Sequence, residues 1–175
     1  MSDKKNDFEI VVLPQLTYLY RIAYCLVRGN KEDREDLVQE TIVKAYKSFN
    51  QLDRSEKCRA WLASILYNTF VNKYRREKGS PVVLKPVEES PAYQDDPESK
   101  MLERIKYEEL LKALDELPEE YREVIIFSDM QDMSYKDITE ILGVPIGTVR
   151  SRLSRGRQLL RAKLYESSKN GVSMK

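Results

Sequence analysis

Four of the chain's seven prolines lie between residues 79 and 97, with one glycine and no apolar repeat of helical period. Proline removes a backbone donor and pushes the residue before it out of the helical region, so this stretch reads as an extended or disordered tether. A single continuous core through it is not available. On both sides of it apolar residues return at three- and four-residue steps and helix formers are plentiful, the pattern of helices that pack through one face. The expectation is an all-α chain with two small helical domains, residues 1–78 and 98–170, joined by a flexible linker at 79–97. The full length of 175 residues suits one domain or two small ones.

Three helices are expected in the first half, over residues 7–28, 31–49 and 57–78. Leu16, Leu19, Tyr20, Ala23 and Val27 share a face of the first. Leu37, Thr41, Ala45 and Phe49 form a stripe on the second, with Val38, Ile42 and Tyr46 beside it. Trp61, Leu62, Ile65, Leu66 and Phe70 face the core from the third. After the linker a helix over 98–116 carries Leu102, Ile105, Leu110, Leu111 and Leu114. The next, over 119–129, starts behind Pro118, which suits a first turn.

The formal net charge is only +1, but the charge is sorted by place. Residues 145–164 hold five arginines, one lysine and no acid, whereas 86–97 hold four acids and no base. Residues 31–40 are acidic and 73–78 basic. Such sorting implies several partner surfaces rather than a basic coat for nucleic acid. The acidic end of the linker is either a solvated tether or a mimic of nucleic acid toward a basic surface. There is no histidine, and Cys25 and Cys58 stand in no metal spacing. That removes imidazole acid–base chemistry and mixed Cys/His zinc sites, and no cofactor or metal is expected. The thiols read as incidental in a reducing compartment, with redox sensing the alternative. The first nine residues are charged, and no run approaches the roughly 20 apolar residues of a bilayer span. A cytoplasmic protein without membrane insertion is expected.

The segment from Ser134 to Leu153 carries the strongest functional signal. Ser134 with Asp137 resembles a capping box, and Ile138, Ile141 and Leu142 are the buried side of a short helix. Gly143 is placed to end it with positive φ, and Pro145 to open another. Two helices around such a turn make a helix-turn-helix. On the second, Val149, Leu153, Gly156, Leu160 and Leu164 form the packing stripe. Arg150, Ser151, Ser154 and Arg155 project elsewhere, with Thr148 at the helix start. Arginine can donate two hydrogen bonds to guanine in the major groove, and serine and threonine can bond base edges or phosphates. Arg152, Arg157 and Arg161 flank that face, placed for phosphates. Duplex DNA binding follows.

The residues from Leu114 through Val124, and again from Gly143 through Arg157, resemble region 4 of sigma factors of the extracytoplasmic-function group of the sigma-70 family. Those from Glu35 to Tyr46 look like region 2.2, and those from Arg59 to Phe70 like regions 2.3 and 2.4. The two motifs occur in the family's order and cover nearly the whole chain; the linker shows no likeness. The resemblance implies an RNA polymerase sigma factor rather than an enzyme. It would bind bacterial core RNA polymerase and direct transcription from chosen promoters. Region 2 would dock on the clamp coiled coil of the largest subunit through Asp36, Gln39 and Glu40, which share one helix face. The loop before the third helix, and that helix, would take the −10 element and help open it. Asn68 and Asn72 would serve for unstacked bases, and Lys73, Arg75 and Arg76 for the single strand's phosphates. Trp61 is either a stacking platform or a core residue. Region 4 would read the −35 duplex and dock on the flap, and an anti-sigma factor is an expected partner. Gly156 departs from the pattern, standing where a helix former such as alanine is common, at about 1 kcal/mol.

Two other readings remain. A stand-alone helix-turn-helix regulator needs a sensing or dimerising domain, for which the first half offers no ligand cluster. An enzyme with paired carboxylates on the second helix lacks histidine and any nucleophile-elbow motif.

Overall fold

A computed structural model of the chain describes residues 2–27, 30–52, 55–75 and 97–172. The described residues form helices and turns: α1 Ser2–Val12, α2 Leu16–Leu26, α3 Lys31–Ser48, α4 Cys58–Phe70, α5 Pro97–Asp115, α6 Glu119–Ile125, α7 Tyr135–Leu142 and α8 Ile146–Val172. Contacts divide the chain into two compact units, Met1–Pro86 with Lys136–Gly143, and Val87–Tyr135 with Val144–Lys175. Of the stretch expected as a linker, only Pro97 is among the described residues, as the first residue of α5.

In the first unit the expected helix over 7–28 is two helices. Pro14 sits inside a 3-10 turn, Leu13–Gln15, that separates α1 from α2, because its ring and missing N–H cannot continue an α-helical ladder. The face of α2 is also broader than expected. Tyr18, Leu19, Ile22, Ala23, Cys25 and Leu26 are buried, while Tyr20 is 41% exposed. The segment is apolar nearly all round, so its period alone does not choose the phase. Phe8 of α1 packs edge-on against Tyr46 and Phe49, with ring centroids 5.1 and 5.3 Å away, an arrangement that suits the ring quadrupoles.

Helix α3 begins where Asn30 accepts a hydrogen bond from the Asp33 N–H at 2.9 Å, an N-cap that satisfies one of the orphan donors of the first turn. It buries Leu37, Val38, Thr41 and Ala45 against α2 and α4. Thr41 is tolerated in that stripe because its hydroxyl donates to the Leu37 carbonyl at 2.7 Å. Leu62, Ala63, Leu66 and Phe70 answer it from α4, while Trp61 is half-buried. A π turn, Val71–Arg75, continues α4. Cys25 and Cys58 are both buried free thiols, and burial pushes the Cys58 thiol up. A buried thiol held protonated is a poor nucleophile, which disfavours the redox alternative for Cys58.

In the second unit α8 lies against α6 and α5. Val149, Leu153 and Gly156 are buried on its inner side, and Val124, Ile125, Ile126 and Phe127 on the facing segment. A Cβ at Gly156 would stand 2.9 Å from Ile125 Cδ1, 3.2 Å from Tyr121 Cβ and 3.3 Å from the Tyr121 carbonyl oxygen. The close approach of α8 to α6 beside Tyr121 is therefore a reason for glycine here. Arg122 is buried as well, with Nη1 4.0 Å from Asp115 Oδ1.

Two stability outcomes are expected. Asn30→Ala removes the α3 cap and costs about 1 kcal/mol. Gly156→Leu forces α6 and α8 apart and costs about 1–3 kcal/mol. Urea denaturation followed by circular dichroism reads both, and an unchanged midpoint for the leucine variant would show that the approach is not tight.

Candidate nucleic-acid interface

The turn before α8 is built as the motif requires. Gly143 has φ +66°, open to glycine without a Cβ penalty, and its N–H bonds the Thr139 carbonyl at 3.0 Å. The Pro145 carbonyl accepts from the N–H groups of Thr148 and Val149 at 2.9 and 3.1 Å, which starts α8. With Val149, Leu153 and Gly156 turned inward, Arg150, Ser151, Ser154 and Arg155 are all exposed, and Thr148 is half-buried at the helix start. The Ser151 hydroxyl donates to the Thr148 carbonyl at 3.1 Å.

The basic run is not uniform in its surroundings. Arg152 pairs with Glu120 at 3.0 Å, and Lys163 with Glu116 at 2.6 Å. Arg157 forms a two-pronged bond to Asp129, Nε to Oδ2 at 2.8 Å and Nη2 to Oδ1 at 2.6 Å. The bond to Arg157 holds the Asp129 carboxyl below its usual range, and the same bond raises the guanidinium above its own. Among the described residues, Arg150, Arg155 and Arg161 have no such partner. Sequence reasoning saw a run free of acid. The acids arrive from α6 and its flanking turns, far along the chain, and no local signal announces them.

In the first unit Asp36 and Gln39 are exposed on α3 and Glu40 is half-buried beside them. Asn68 and Asn72 are exposed on α4 and its π turn. Lys73 bridges the two sets, with Nζ 3.7 Å from Asp36 Oδ2 and 3.8 Å from Glu40 Oε2. Lys44 joins the same group, bonded to Glu40 at 2.7 Å and donating to the Thr69 hydroxyl at 3.1 Å. The acids expected to face a polymerase and a lysine expected to face DNA are thus neighbours. Arg75 is described only in its backbone, and Arg76 lies outside the described residues. Val43, 52% exposed, and Tyr46 continue the outer side of α3, an apolar extension that the charge pattern did not single out.

The comparisons with known proteins agree on one family. The sigma-70 region 2 family matches residues 14–79, and the sigma-70 region 4 family matches residues 107–160. The chain is a sigma factor of the sigma-70 family, in its extracytoplasmic-function group. It is 37% identical over 152 residues to the ECF RNA polymerase sigma factor SigE of Mycolicibacterium smegmatis, covering 86% of this chain and 58% of that longer relative. It is 30% identical to the ECF RNA polymerase sigma factor EcfG of Rhodopseudomonas palustris, covering 94% of this chain and 87% of that one. Among solved structures, the sigma factor RpoE of Bartonella quintana, crystallised with the anti-sigma factor NepR, superposes with a TM-score of 0.72 at 29% identity. That match covers 94% of this chain and 98% of RpoE. The region 2 match occupies the half that a stand-alone regulator would devote to sensing or dimerisation, so the sigma factor is the reading that stands. Among the described residues no helix is long and apolar enough to cross a membrane.

The Asp129–Arg157 bond gives an acid limb to stability. A carboxyl whose folded pKa is depressed contributes stability that is complete above its unfolded value and is lost as pH falls through the folded one. Asp129→Asn is therefore expected to lower the melting temperature at neutral pH, with the gap to wild type starting to close only as pH falls below about 4. A constant gap across that range would exclude the linkage.

Proposed function

We propose that this sigma factor reads the −35 duplex with the outer face of α8, through Thr148, Arg150, Ser151, Ser154 and Arg155. The observation that carries the reading is that Arg150 and Arg155 are exposed, with no carboxylate partner among the described residues. An unpaired guanidinium keeps its fork for the O6 and N7 of guanine and its charge for the polyanion. Arg152 belongs to the same surface, as a phosphate contact reached from beside Glu120, and Arg157 lies on it bonded to Asp129.

The first unit carries the remaining steps of the proposal. Asp36, Gln39 and Glu40 dock on the clamp coiled coil of core RNA polymerase, and the second unit meets the flap. Asn68 and Asn72 take bases of the −10 element, and Lys73, Arg75 and Arg76 hold the displaced strand, which assists promoter melting. The protein acts without catalytic residues or a cofactor of its own, in the cytoplasm. By analogy with RpoE and NepR, an anti-sigma factor is its regulatory partner.

Replacing Arg150 or Arg155 by alanine is expected to weaken −35-dependent promoter use by about 1–3 kcal/mol each. Run-off transcription with reconstituted holoenzyme reads this, and unchanged output would remove the residue from the interface. Asp36→Ala with Gln39→Ala is expected to weaken core binding about tenfold or more, read by competition against labelled wild type. Equal competition would refute the docking face.

A further inference from the structure

The two-pronged bond at Arg157 has a geometry that an ordinary surface pair lacks. A guanidinium presents five N–H groups in a fixed fork. One edge of this fork is closed on Asp129, with contacts of 2.8 and 2.6 Å, and the Tyr135 side chain stands near the same group. The three residues come from three successive pieces of the second unit. Asp129 lies in the π turn Ile126–Met130 that extends α6, Tyr135 is the first residue of α7, and Arg157 is in α8.

Between the first two the chain must reverse. It does so with Asp132 at φ +52° and with the Met133 N–H bonded to the Phe127 carbonyl at 3.0 Å. A non-glycine residue in the left-handed region costs free energy and persists where its surroundings hold it. Arg157 also stands seven residues after Arg150 and three after Ser154, two turns and one turn along the same side of α8. A bond that holds Arg157 thereby orients the face that carries Arg150 and Ser154.

We infer that the fork between Asp129 and Arg157 is a latch that fixes the turn at residues 130–135 to α8, and that Arg157 is a positioning residue for the duplex-reading face rather than a phosphate contact. Releasing Arg157 to a phosphate would break the fork and leave the Asp129 carboxylate uncompensated beside a polyanion. Arg150 and Arg155 face no such loss. The inference refines the −35 reading proposed above and rests on it for the DNA-binding arm alone.

The test uses the full chain with Asp129→Ala, Arg157→Ala, Arg157→Lys and the Asp129→Ala/Arg157→Ala double variant. Hydrogen exchange of the free chain is the first arm and needs no DNA. Each single variant, lysine included, should raise exchange across residues 130–135 about tenfold, the scale of one lost charged hydrogen bond. In the second arm, holoenzyme binding to a −35 promoter is titrated with salt. Affinity should fall to a similar degree in every variant, with the double no worse than either alanine single. The salt slope should stay that of the wild type. Three results overturn the latch: exchange at wild-type levels, a lysine variant that binds as wild type, or an Arg157→Ala slope shallower by about 0.9, the loss of one phosphate contact. A wild-type holoenzyme indifferent to the −35 sequence would instead defeat the duplex reading, while the exchange arm still decides the latch.

Discussion

The second unit depends on how closely α8 approaches α6 at Gly156. The Tyr121 backbone and the Ile125 side chain crowd a Cβ there, which marks the side of α8 that packs against α6. A helix turns about 100° per residue, and once Val149, Leu153 and Gly156 face inward, the directions of Arg150, Ser151, Ser154 and Arg155 follow. The ion pairs of Arg152 with Glu120 and Lys163 with Glu116 lie along the same seam. Exposed pairs of this kind contribute little to stability individually. Their larger effect is to take cations out of the general positive field and leave others to act.

The first unit has a comparable economy of charge. Lys73 stands between Asp36 and Glu40, so the acids proposed to meet polymerase and a cation proposed to meet DNA share one cluster. The surface between α3 and the end of α4 is therefore not two independent patches. Whatever occupies the acids alters the electrostatic surroundings of the lysine, a short-range effect because exposed charges are screened within about 10 Å at ordinary salt.

Much of this was legible in advance. The helix-turn-helix depends on contacts a few residues apart, and Gly143, Pro145 and the stripe of Val149 and Leu153 announce it. Helix α3 was equally clear, because Leu37, Thr41 and Ala45 recur at four-residue steps and are buried together. The first helix departs from its sequence pattern in two ways, both physical. Pro14 sits in an apolar run that hides a break, and α2 is oily on nearly every side, so the period places Tyr20 on a face that belongs to Tyr18 and Ile22. Gly156 could be recognised as a departure from the family pattern, but the crowding that accounts for it comes from Tyr121 and Ile125, more than thirty positions earlier in the chain.

By itself the sequence determined the helical class, the turn that opens α8 and the family, since each of these is written in local spacing or in motifs kept in order. Only the tertiary structure decided which arginines of α8 are held and which are left open, and that Lys73 belongs with Asp36 and Glu40. Those outcomes depend on carboxylates brought from distant positions to within 4 Å. Coulombic pairing acts through distance in space, which spacing along a chain does not record.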